Sequence, residues 1–280
     1  MEPAQRDLAA RYGPWALIAG GSDGIGEAFA RRLAAAGINL VLVARRSDVL
    51  AAAASALEAE HGVEVRTLAL DLTAEGLEAA VAAVVADLEV GLLVYNAGAV
   101  HGAATFLDRS PAEARHLVDL NCTGPVVLAH LLGRPMRERH RGGMIFMTSM
   151  SALSGAAYVA TYAATKSFDL VLAEGLWHEL RPEGVDVLAV VAGATDTPAM
   201  RASIEGFGQT MALAEPDDVA AAALAALGRG PVCVPDAANA EAAAYLRAND
   251  RVEIINMMSQ ATAAMYDLPF TPATAADPAP

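Results

Sequence analysis

The segment Trp15-Ala16-Leu17-Ile18-Ala19-Gly20-Gly21-Ser22-Asp23-Gly24-Ile25-Gly26 joins a short apolar run to a cluster of glycines, and an amphipathic helical pattern follows at once. The apolar run has the length of a buried strand. Glycines let a chain turn sharply beside a pyrophosphate, and a helix starting there offers free N–H groups and the positive end of its dipole. Although such clusters also mark ordinary tight turns, this position after a first strand favours a dinucleotide-binding turn. Its candidate cofactor contacts are Gly20, Ser22, Gly24, Ile25 and Gly26.

Short apolar runs alternate with longer helical patterns through most of the 280 residues. The predicted strands span Trp15–Ala19, Asn39–Ala44, Glu64–Ala69, Leu92–Tyr95, Met144–Met147, Val185–Val191 and Val232–Val234. The predicted helices span Gly24–Ala36, Ser47–Glu60, Ala74–Leu88, Pro111–Arg137, Tyr158–Leu180, Asp217–Leu227 and Ala237–Tyr266. Strands without strict polar alternation, separated by helices, indicate a three-layer α/β fold with a doubly wound parallel sheet of about seven strands. We expect one domain over residues 1–266 and a mobile proline-rich tail over residues 267–280.

Composition excludes several functional classes. The net charge of −14 opposes attraction to nucleic acid and to anionic lipid, so we expect neither partner. Cys122 and Cys233 both lie in apolar stretches, which favours buried free thiols in a reduced cytosol. No apolar run approaches the roughly 18 residues that a membrane helix needs, and the polar N-terminus lacks a signal-peptide core. We therefore predict a cytoplasmic protein, and the spacing of its six histidines predicts no metal site.

The end of the second predicted strand, Val43-Ala44-Arg45-Arg46, bears on cofactor choice. In dinucleotide-binding folds an acidic residue at this point binds ribose hydroxyls, whereas arginine accommodates a 2′-phosphate. Arg45 and Arg46 therefore favour NADP over NAD, although solubilising surface charges would look the same. After the third strand, Asp71 and Leu72 are candidate adenine contacts, but Asp71 would equally suit a cap on the next helix.

Lys166 is the only lysine of the chain, against eighteen arginines, and it follows Tyr162 by four residues. That spacing is one helical turn, so both side chains share a face. An ammonium near a phenol favours the phenolate, which makes the tyrosine a candidate for proton transfer near neutral pH. An arbitrary Tyr-x-x-x-Lys pair is usually a solvated pair on a helix surface. The other motifs of the chain must therefore decide between a surface pair and a catalytic pair.

Those motifs together resemble the short-chain dehydrogenase/reductase family over roughly residues 12 to 235. The resemblance is carried by Gly20, Gly24 and Gly26, Asn96-Ala97-Gly98, Asn121, Ser149, and Tyr162 with Lys166. It implies a Rossmann-type enzyme that transfers a hydride between NAD(P) and a carbonyl or alcohol.

The resemblance implies a role for each matching residue. Tyr162 would exchange a proton with the substrate oxygen, and Lys166 would favour its ionised form and bind the nicotinamide ribose. Ser149 would donate a hydrogen bond to the same oxygen, and Asn121 would hold a relay water against Lys166. Asn96 would brace the strand below the cofactor, with Ala97 and Gly98 leaving room for the adenosine ribose. The segment expected to contact the nicotinamide carboxamide contains Gly193, Thr195 and Thr197.

Three positions depart from the family pattern without removing a catalytic group: Ala19, Tyr95 and Ala192. The segment Met200–Met211 is expected to form a mobile lid over the substrate, and His101 is a candidate lining residue outside catalysis. Met257, Met258 and Met265 suit either an apolar substrate surface or a plain helical core.

Two other functions compete with an oxidoreductase. A dinucleotide sensor without turnover would need the glycines and arginines but no proton-transfer group. A serine hydrolase acting through Ser149 would need a nucleophile elbow, and the glycine spacing for one is absent.

The predicted helix Tyr158–Leu180 is apolar around most of its circumference, with Asp169, Glu174 and Glu179 leaving little polar surface. A surface helix normally has one apolar stripe, so we expect a second cover. A neighbouring subunit would supply it, as the resemblance also implies, which predicts a homodimer or homotetramer. The alternative is that the C-terminal helices fold back over this face within one chain.

Overall fold

In the computed structural model, which describes residues 3–99, 102–204 and 212–274, seven parallel strands form one sheet. The strands are Trp15–Ala19 (β1), Asn39–Ala44 (β2), Val65–Ala69 (β3), Val90–Tyr95 (β4), Gly142–Ser149 (β5), Val185–Ala192 (β6) and Val232–Cys233 (β7). Their order is β3-β2-β1-β4-β5-β6-β7, and every neighbouring pair is parallel. The order reverses between β1 and β4, where doubly wound sheets open a crevice at the carboxyl ends of their strands. The predicted fold class is confirmed.

Helices cover both faces of the sheet. Within the described ranges they are Pro3–Tyr12 (α1), Gly24–Ala35 (α2), Ser47–His61 (α3), Leu77–Val85 (α4), Pro111–Val118 (α5), Gly124–Glu138 (α6), Ala160–Leu180 (α7), Pro198–Ile204 (α8), Pro216–Ala226 (α9), Ala237–Ala248 (α10) and Arg251–Met265 (α11). Successive side chains of β1 point to opposite faces, so Ile18 joins the core formed with α2, α3 and α9. Leu17 joins the second core, which includes residues of α4, α6 and α7.

The prediction of one helical stretch over Pro111–Arg137 needs a refinement, because the chain is helical from Pro111 to Glu138 but is not α-helical throughout. A π-helical turn, Asp119–Thr123, separates α5 from α6. Pro125 explains the break, because its ring carries no N–H and crowds the carbonyl one turn before it. The Gly124 N–H instead reaches back to the carbonyl oxygen of Asp119.

Two other helix predictions need correction. Gly76 has a φ of +83°, so the helix expected over Ala74–Leu88 begins only at Leu77. The predicted helix Ala237–Tyr266 is broken at Asp250, whose side chain caps α11 by accepting bonds from the N–H groups of Val252 and Glu253.

In the described part of the chain, no helix is both long enough and apolar enough to cross a bilayer. Among the same residues, no cluster of three or more His, Cys, Asp and Glu side chains could hold a metal ion.

Candidate active site

Lys166 lies inside the protein, between Gly98, which follows β4, and the carboxyl end of β5. Only 4% of the residue is exposed. Its Nζ donates to the carbonyl oxygen of Met147 in β5 at 2.9 Å and to Oδ2 of Asp169 at 3.1 Å. A surface pair with Tyr162, the ordinary alternative for this spacing, is therefore excluded for Lys166. Asp169, which the sequence suggested as part of the polar helix surface, is also buried, and this corrects the earlier interpretation.

Asn121 occupies the π-helical turn and is fully buried. Its Nδ2 donates to Oγ1 of Thr165 at 2.9 Å, next to Lys166 in sequence, and its Oδ1 accepts from the N–H of Ala99 at 3.4 Å. A Cβ atom added to Gly98 would lie 3.1 Å from the Lys166 ammonium and 3.4 Å from Asn121 Oδ1. Glycine at this position therefore keeps both polar groups accessible from the crevice.

Tyr95 supports this turn from below. The hydroxyl of Tyr95 donates to the carbonyl oxygen of Leu120 at 2.6 Å. Within a helix this carbonyl would accept from the N–H of Gly124 or of residue 125. The Gly124 N–H donates to Asp119 instead, and Pro125 has no N–H, so no backbone donor is left for Leu120. Tyr95, noted in the sequence as a departure from the family pattern, thus supplies a donor that the backbone lacks.

Ser149 and Tyr162 complete the candidate catalytic group. Ser149 is the last residue of β5, and its Oγ accepts from the N–H of Ser151 at 3.2 Å. Tyr162 lies in the first turn of α7 and is half-buried. Ser167 ties α7 to the turn after Ser149, because its Oγ donates to the carbonyl oxygen of Ala152 at 2.7 Å. The structure thus brings the end of β5 and the first turns of α7 together at one edge of the sheet.

The glycine turn after β1 is held from β4. Asn96 Nδ2 donates to the carbonyl oxygen of Gly20 at 2.9 Å, which matches the bracing role expected for it. Gly20 has a φ of +79°, a conformation that favours glycine. A Cβ atom on Gly26 would lie 1.9 Å from the Gly20 carbonyl oxygen, so only glycine allows this approach.

The start of α2 is suited to an anion. Its N-cap residue, Asp23, makes no side-chain capping bond, and its carboxylate instead forms an ion pair with Arg46. The first N–H groups of α2 therefore have no side-chain cap, as a phosphate site at a helix N-terminus requires. Arg46 is placed beside this turn by that ion pair, and Arg45 precedes it at the end of β2; both are exposed. The residues present fit the pyrophosphate of a dinucleotide.

Asp71 is held within its own turn. Its Oδ1 accepts from both the N–H and the Oγ1 of Thr73 at 2.9 Å, and the Thr73 N–H is the main cause that lowers the Asp71 pKa. Leu72 beside it is buried. The carboxylate caps the turn that contains Thr73 and does not cap the next helix, because α4 begins only at Leu77 and has Gly76 as its N-cap residue.

The segment after β6 folds back toward the glycine turn. Thr195 Oγ1 donates to the carbonyl oxygen of Gly193 at 3.1 Å, and Thr197 Oγ1 accepts from the N–H of Met200 at the start of α8. A Cβ atom on Gly24 would lie 2.9 Å from the methyl group of Thr197. This contact brings the candidate nicotinamide segment against the candidate phosphate turn.

The C-terminal helices contact this edge of the sheet, which sequence reasoning missed. Ser259 of α11 accepts from the N–H of Ala157, and Tyr266 shares a 2.7 Å hydrogen bond with Ser203 of α8. Such contacts join segments about 60 to 100 residues apart, so no local sequence pattern predicts them. His101 and residues 205–211 of the expected lid lie outside the described residues.

Three further buried polar residues were also missed. Thr148 Oγ1 donates to the carbonyl oxygen of Lys166 at 2.7 Å. Thr165 accepts from Asn121, and Asp169 accepts from Lys166. The available signal was a polar residue inside an apolar helix stretch, as at Asp169 in Phe168-Asp169-Leu170.

Comparison with known proteins gives matches over most of the chain. A family model described as short chain dehydrogenase matches residues 14–206. The chain is 36% identical over 193 residues to a very-long-chain 3-oxoacyl-CoA reductase of Meyerozyma guilliermondii. This alignment covers 65% of the chain and 57% of that protein, so the chain matches little more than half of this relative.

Solved structures agree with the fold. A 7β-hydroxysteroid dehydrogenase superposes with a TM-score of 0.84 at 28% identity, covering 90% of this chain and 98% of the other. A short-chain dehydrogenase from Sphingobium yanoikuyae in complex with NADPH gives a TM-score of 0.76 at 33% identity, covering 84% and 93%.

Proposed function

The chain belongs to the short-chain dehydrogenase family, and we propose that it is an NADP-dependent enzyme that interconverts a carbonyl and a secondary alcohol on a largely apolar substrate. The observation that carries this proposal is the burial of the sole lysine beside Asn121, one helical turn from Tyr162, with Gly98 leaving the ammonium accessible. A sensor that does not turn over would have no use for this arrangement around a proton-transfer group.

Each residue has a distinct task in the proposed reduction. When bound, the dinucleotide supplies the hydride. Ser149 donates a hydrogen bond that places the substrate oxygen, and Tyr162 then gives that oxygen its proton. Lys166 lies one turn below, where its positive charge favours the phenolate that remains. Asn121 holds the adjacent turn, so the protein side of the proton path is preorganised.

The two arginines after β2 support the preference for NADP. Arg45 and Arg46 lie beside the uncapped start of α2, where a 2′-phosphate would need cationic partners. Arg46 would exchange its present partner, Asp23, for that phosphate. A solved relative in complex with NADPH supports the same choice.

The substrate class is inferred from the relatives and from the rim of the crevice. The names of two similar proteins refer to a very-long-chain 3-oxoacyl thioester and to a hydroxysteroid, both of which are bulky and largely apolar. In this chain Ser259 of α11 bonds to Ala157 in the segment that follows Ser149, and Tyr266, just after α11, bonds to Ser203 of α8. The expected cytoplasmic location stays a prediction.

We also propose assembly through α7. Phe168 and Val171 are 40% and 64% exposed on this helix, while the C-terminal helices pack elsewhere, against Leu153 and Ala157. Val118 and Val126 are exposed on the neighbouring helical segment. A second copy of the chain would cover these side chains by twofold packing.

Binding and turnover can be separated in one pair of measurements. NADPH fluorescence is titrated first, and oxidation of NADPH is then followed with a panel of 3-oxoacyl thioesters, oxosteroids and bulky ketones. The proposal expects binding together with turnover of at least one panel member. Binding without turnover across the panel favours a sensor, and absence of binding rejects the proposed function.

A further inference from the structure

The Asp169 carboxylate is the only acid in the described chain that forms an ion pair with the buried lysine. Side-chain exposure is 1% for Asp169 and 5% for Lys166. Oδ2 accepts from Lys166 Nζ at 3.1 Å, while Oδ1 is buried and has no hydrogen-bond partner among the described residues. The general expectation for a buried carboxylate is complete pairing, so a half-paired one requires an explanation.

Burial of this acid is unfavourable unless the ammonium compensates for it. Removal of a carboxylate from water disfavours its charged form, and the attraction of a neighbouring cation only partly offsets that penalty. Burial accordingly raises the pKa of Asp169 to about 6, although the Lys166 ammonium lowers it. The pair thus contains a proton-binding group that changes charge near neutral pH, in direct contact with Lys166.

The groups that face this pair from the π-helical turn, from β4 and from β5 carry no charge. Burial raises the pKa of the Cys122 thiol in the π-helical turn to about 11, and it also raises the pKa of Tyr95 in β4 above its ordinary value. The ammonium also donates to the carbonyl oxygen of Met147 in β5, which carries no formal charge. Asp169 is therefore the formal negative charge that acts on Lys166 at closest range.

We propose that Asp169 is a positioning residue that fixes the Lys166 ammonium over Gly98 and sets how strongly its charge acts on Tyr162. With the carboxylate ionised, part of the lysine charge is offset, and the bonds to Asp169 and Met147 leave one N–H of the ammonium for a bound ligand. With the carboxyl neutral, the full positive charge acts on the phenol. The catalytic meaning of this proposal rests on the proposed function, whereas the contact itself does not.

The single lysine offers a direct test in the cofactor-free protein. Lysine labelled with ¹³C at Cε gives one side-chain resonance, because Lys166 is the only lysine. Its chemical shift should show a step near pH 6 in the wild type, as Asp169 gains charge. Asp169→Asn, a change of equal shape, should remove the step. Glu174→Gln, which removes an exposed charge from the same helix, should retain it.

This titration tests the proposal without a measurement of enzyme activity. A step that persists in Asp169→Asn overturns the proposal, and so does a wild-type resonance with no step at any pH between about 4 and 8 at which the protein stays folded. Should the Asn variant fail to fold, the wild-type titration still decides. Failure of the proposed function would instead appear as an absence of turnover with this step intact.

The kinetic test separates positioning from general support of the fold. In Asp169→Asn the lysine charge is no longer offset, so the acidic limb of the pH–rate profile for alcohol oxidation should move to lower pH. Turnover at neutral pH should fall by roughly 10- to 100-fold through loss of lysine placement. A loss of rate with an unmoved pH profile would indicate a structural role only and overturn the proposal.

Discussion

The hydroxyl oxygen of Tyr95 fills the space that a Cβ atom on Gly124 would need, since that atom would lie only 2.2 Å away. The same hydroxyl donates to the carbonyl oxygen of Leu120, one residue before Asn121. Tyr95 and Gly124 are therefore matched to each other, and together they fix the π-helical turn that places Asn121.

We expect the two positions to show reciprocal rescue. Gly124→Ala should destabilise the protein by about 1–3 kcal/mol, because the new methyl group displaces a packed hydroxyl. Tyr95→Phe should cost about 1 kcal/mol through loss of its hydrogen bond. In the double variant the methyl group gains room, so the combined loss should be smaller than the sum. Chemical denaturation of all four proteins measures this, and strict additivity would contradict the match.

Tyr162→Phe should reduce turnover by at least about 100-fold, because it removes the proton donor. Cofactor binding and thermal stability should stay close to wild type. Tyr245→Phe on the exposed face of α10 is the matched control and should keep full activity. Comparable rates in the two variants would remove Tyr162 from the mechanism.

Replacement of both Arg45 and Arg46 by Gln should weaken NADP binding by about 10- to 100-fold, since a charge-assisted phosphate contact contributes on the order of 1.5–3 kcal/mol. NAD affinity should barely change, because NAD lacks the 2′-phosphate. Arg247→Gln at the far end of α10 serves as the charge control. Equal affinity of the wild type for the two dinucleotides would show that the arginines are ordinary surface charges.

The raised pKa of Asp169 predicts a stability difference that depends on pH. Between its ordinary value of about 3.9 and its folded value of about 6, the folded chain holds a proton that the unfolded chain releases. The contribution of this bound proton to the free energy of unfolding is therefore complete below pH 4 and is lost as the pH rises through 6. Relative to Asp169→Asn, the wild-type Tm should fall over this window and level off above it. A constant Tm difference from pH 4 to 7 would contradict this assignment.

Val171→Glu should dissociate the proposed assembly, because it places a charge in the centre of an exposed apolar patch on α7. Light scattering at micromolar concentration should give a multiple of 28.8 kDa for the wild type and a smaller mass for the variant. Ile255→Glu on α11 should leave the mass unchanged. A wild-type mass of one chain would reject the assembly.

Much of the fold was accessible from the sequence because its signals are local. Buried parallel strands appear as apolar runs, and the glycine turn needs backbone conformations that few other residues adopt. The four candidate catalytic residues were identified by their resemblance to the family motifs, with the spacing of Tyr162 and Lys166 as the signal in the sequence itself. The parallel topology then accounts for the position of Ser149 at the carboxyl end of β5.

The rest depends on contacts that sequence spacing does not encode. Asp169 appeared to be a surface charge because its pattern on α7 does not reveal which face another element covers. The π-helical turn at Asn121 depends on Pro125 together with the hydroxyl donor of Tyr95, which precedes its acceptor Leu120 by 25 residues. The contact of α11 with Ala157 joins residues 102 positions apart.

Because the sole lysine is buried, cleavage at that lysine can measure how often the helix α7 detaches from the sheet. A protease that cleaves only after lysine has one site in the chain, and only 4% of that residue is exposed. The folded chain should resist such a protease, and each cut should record a molecule in which α7 has left the sheet. Cleavage that is slow relative to reclosing follows the population of the open form. Two fragments divided after residue 166 would thus count the openings of the active-site helix itself.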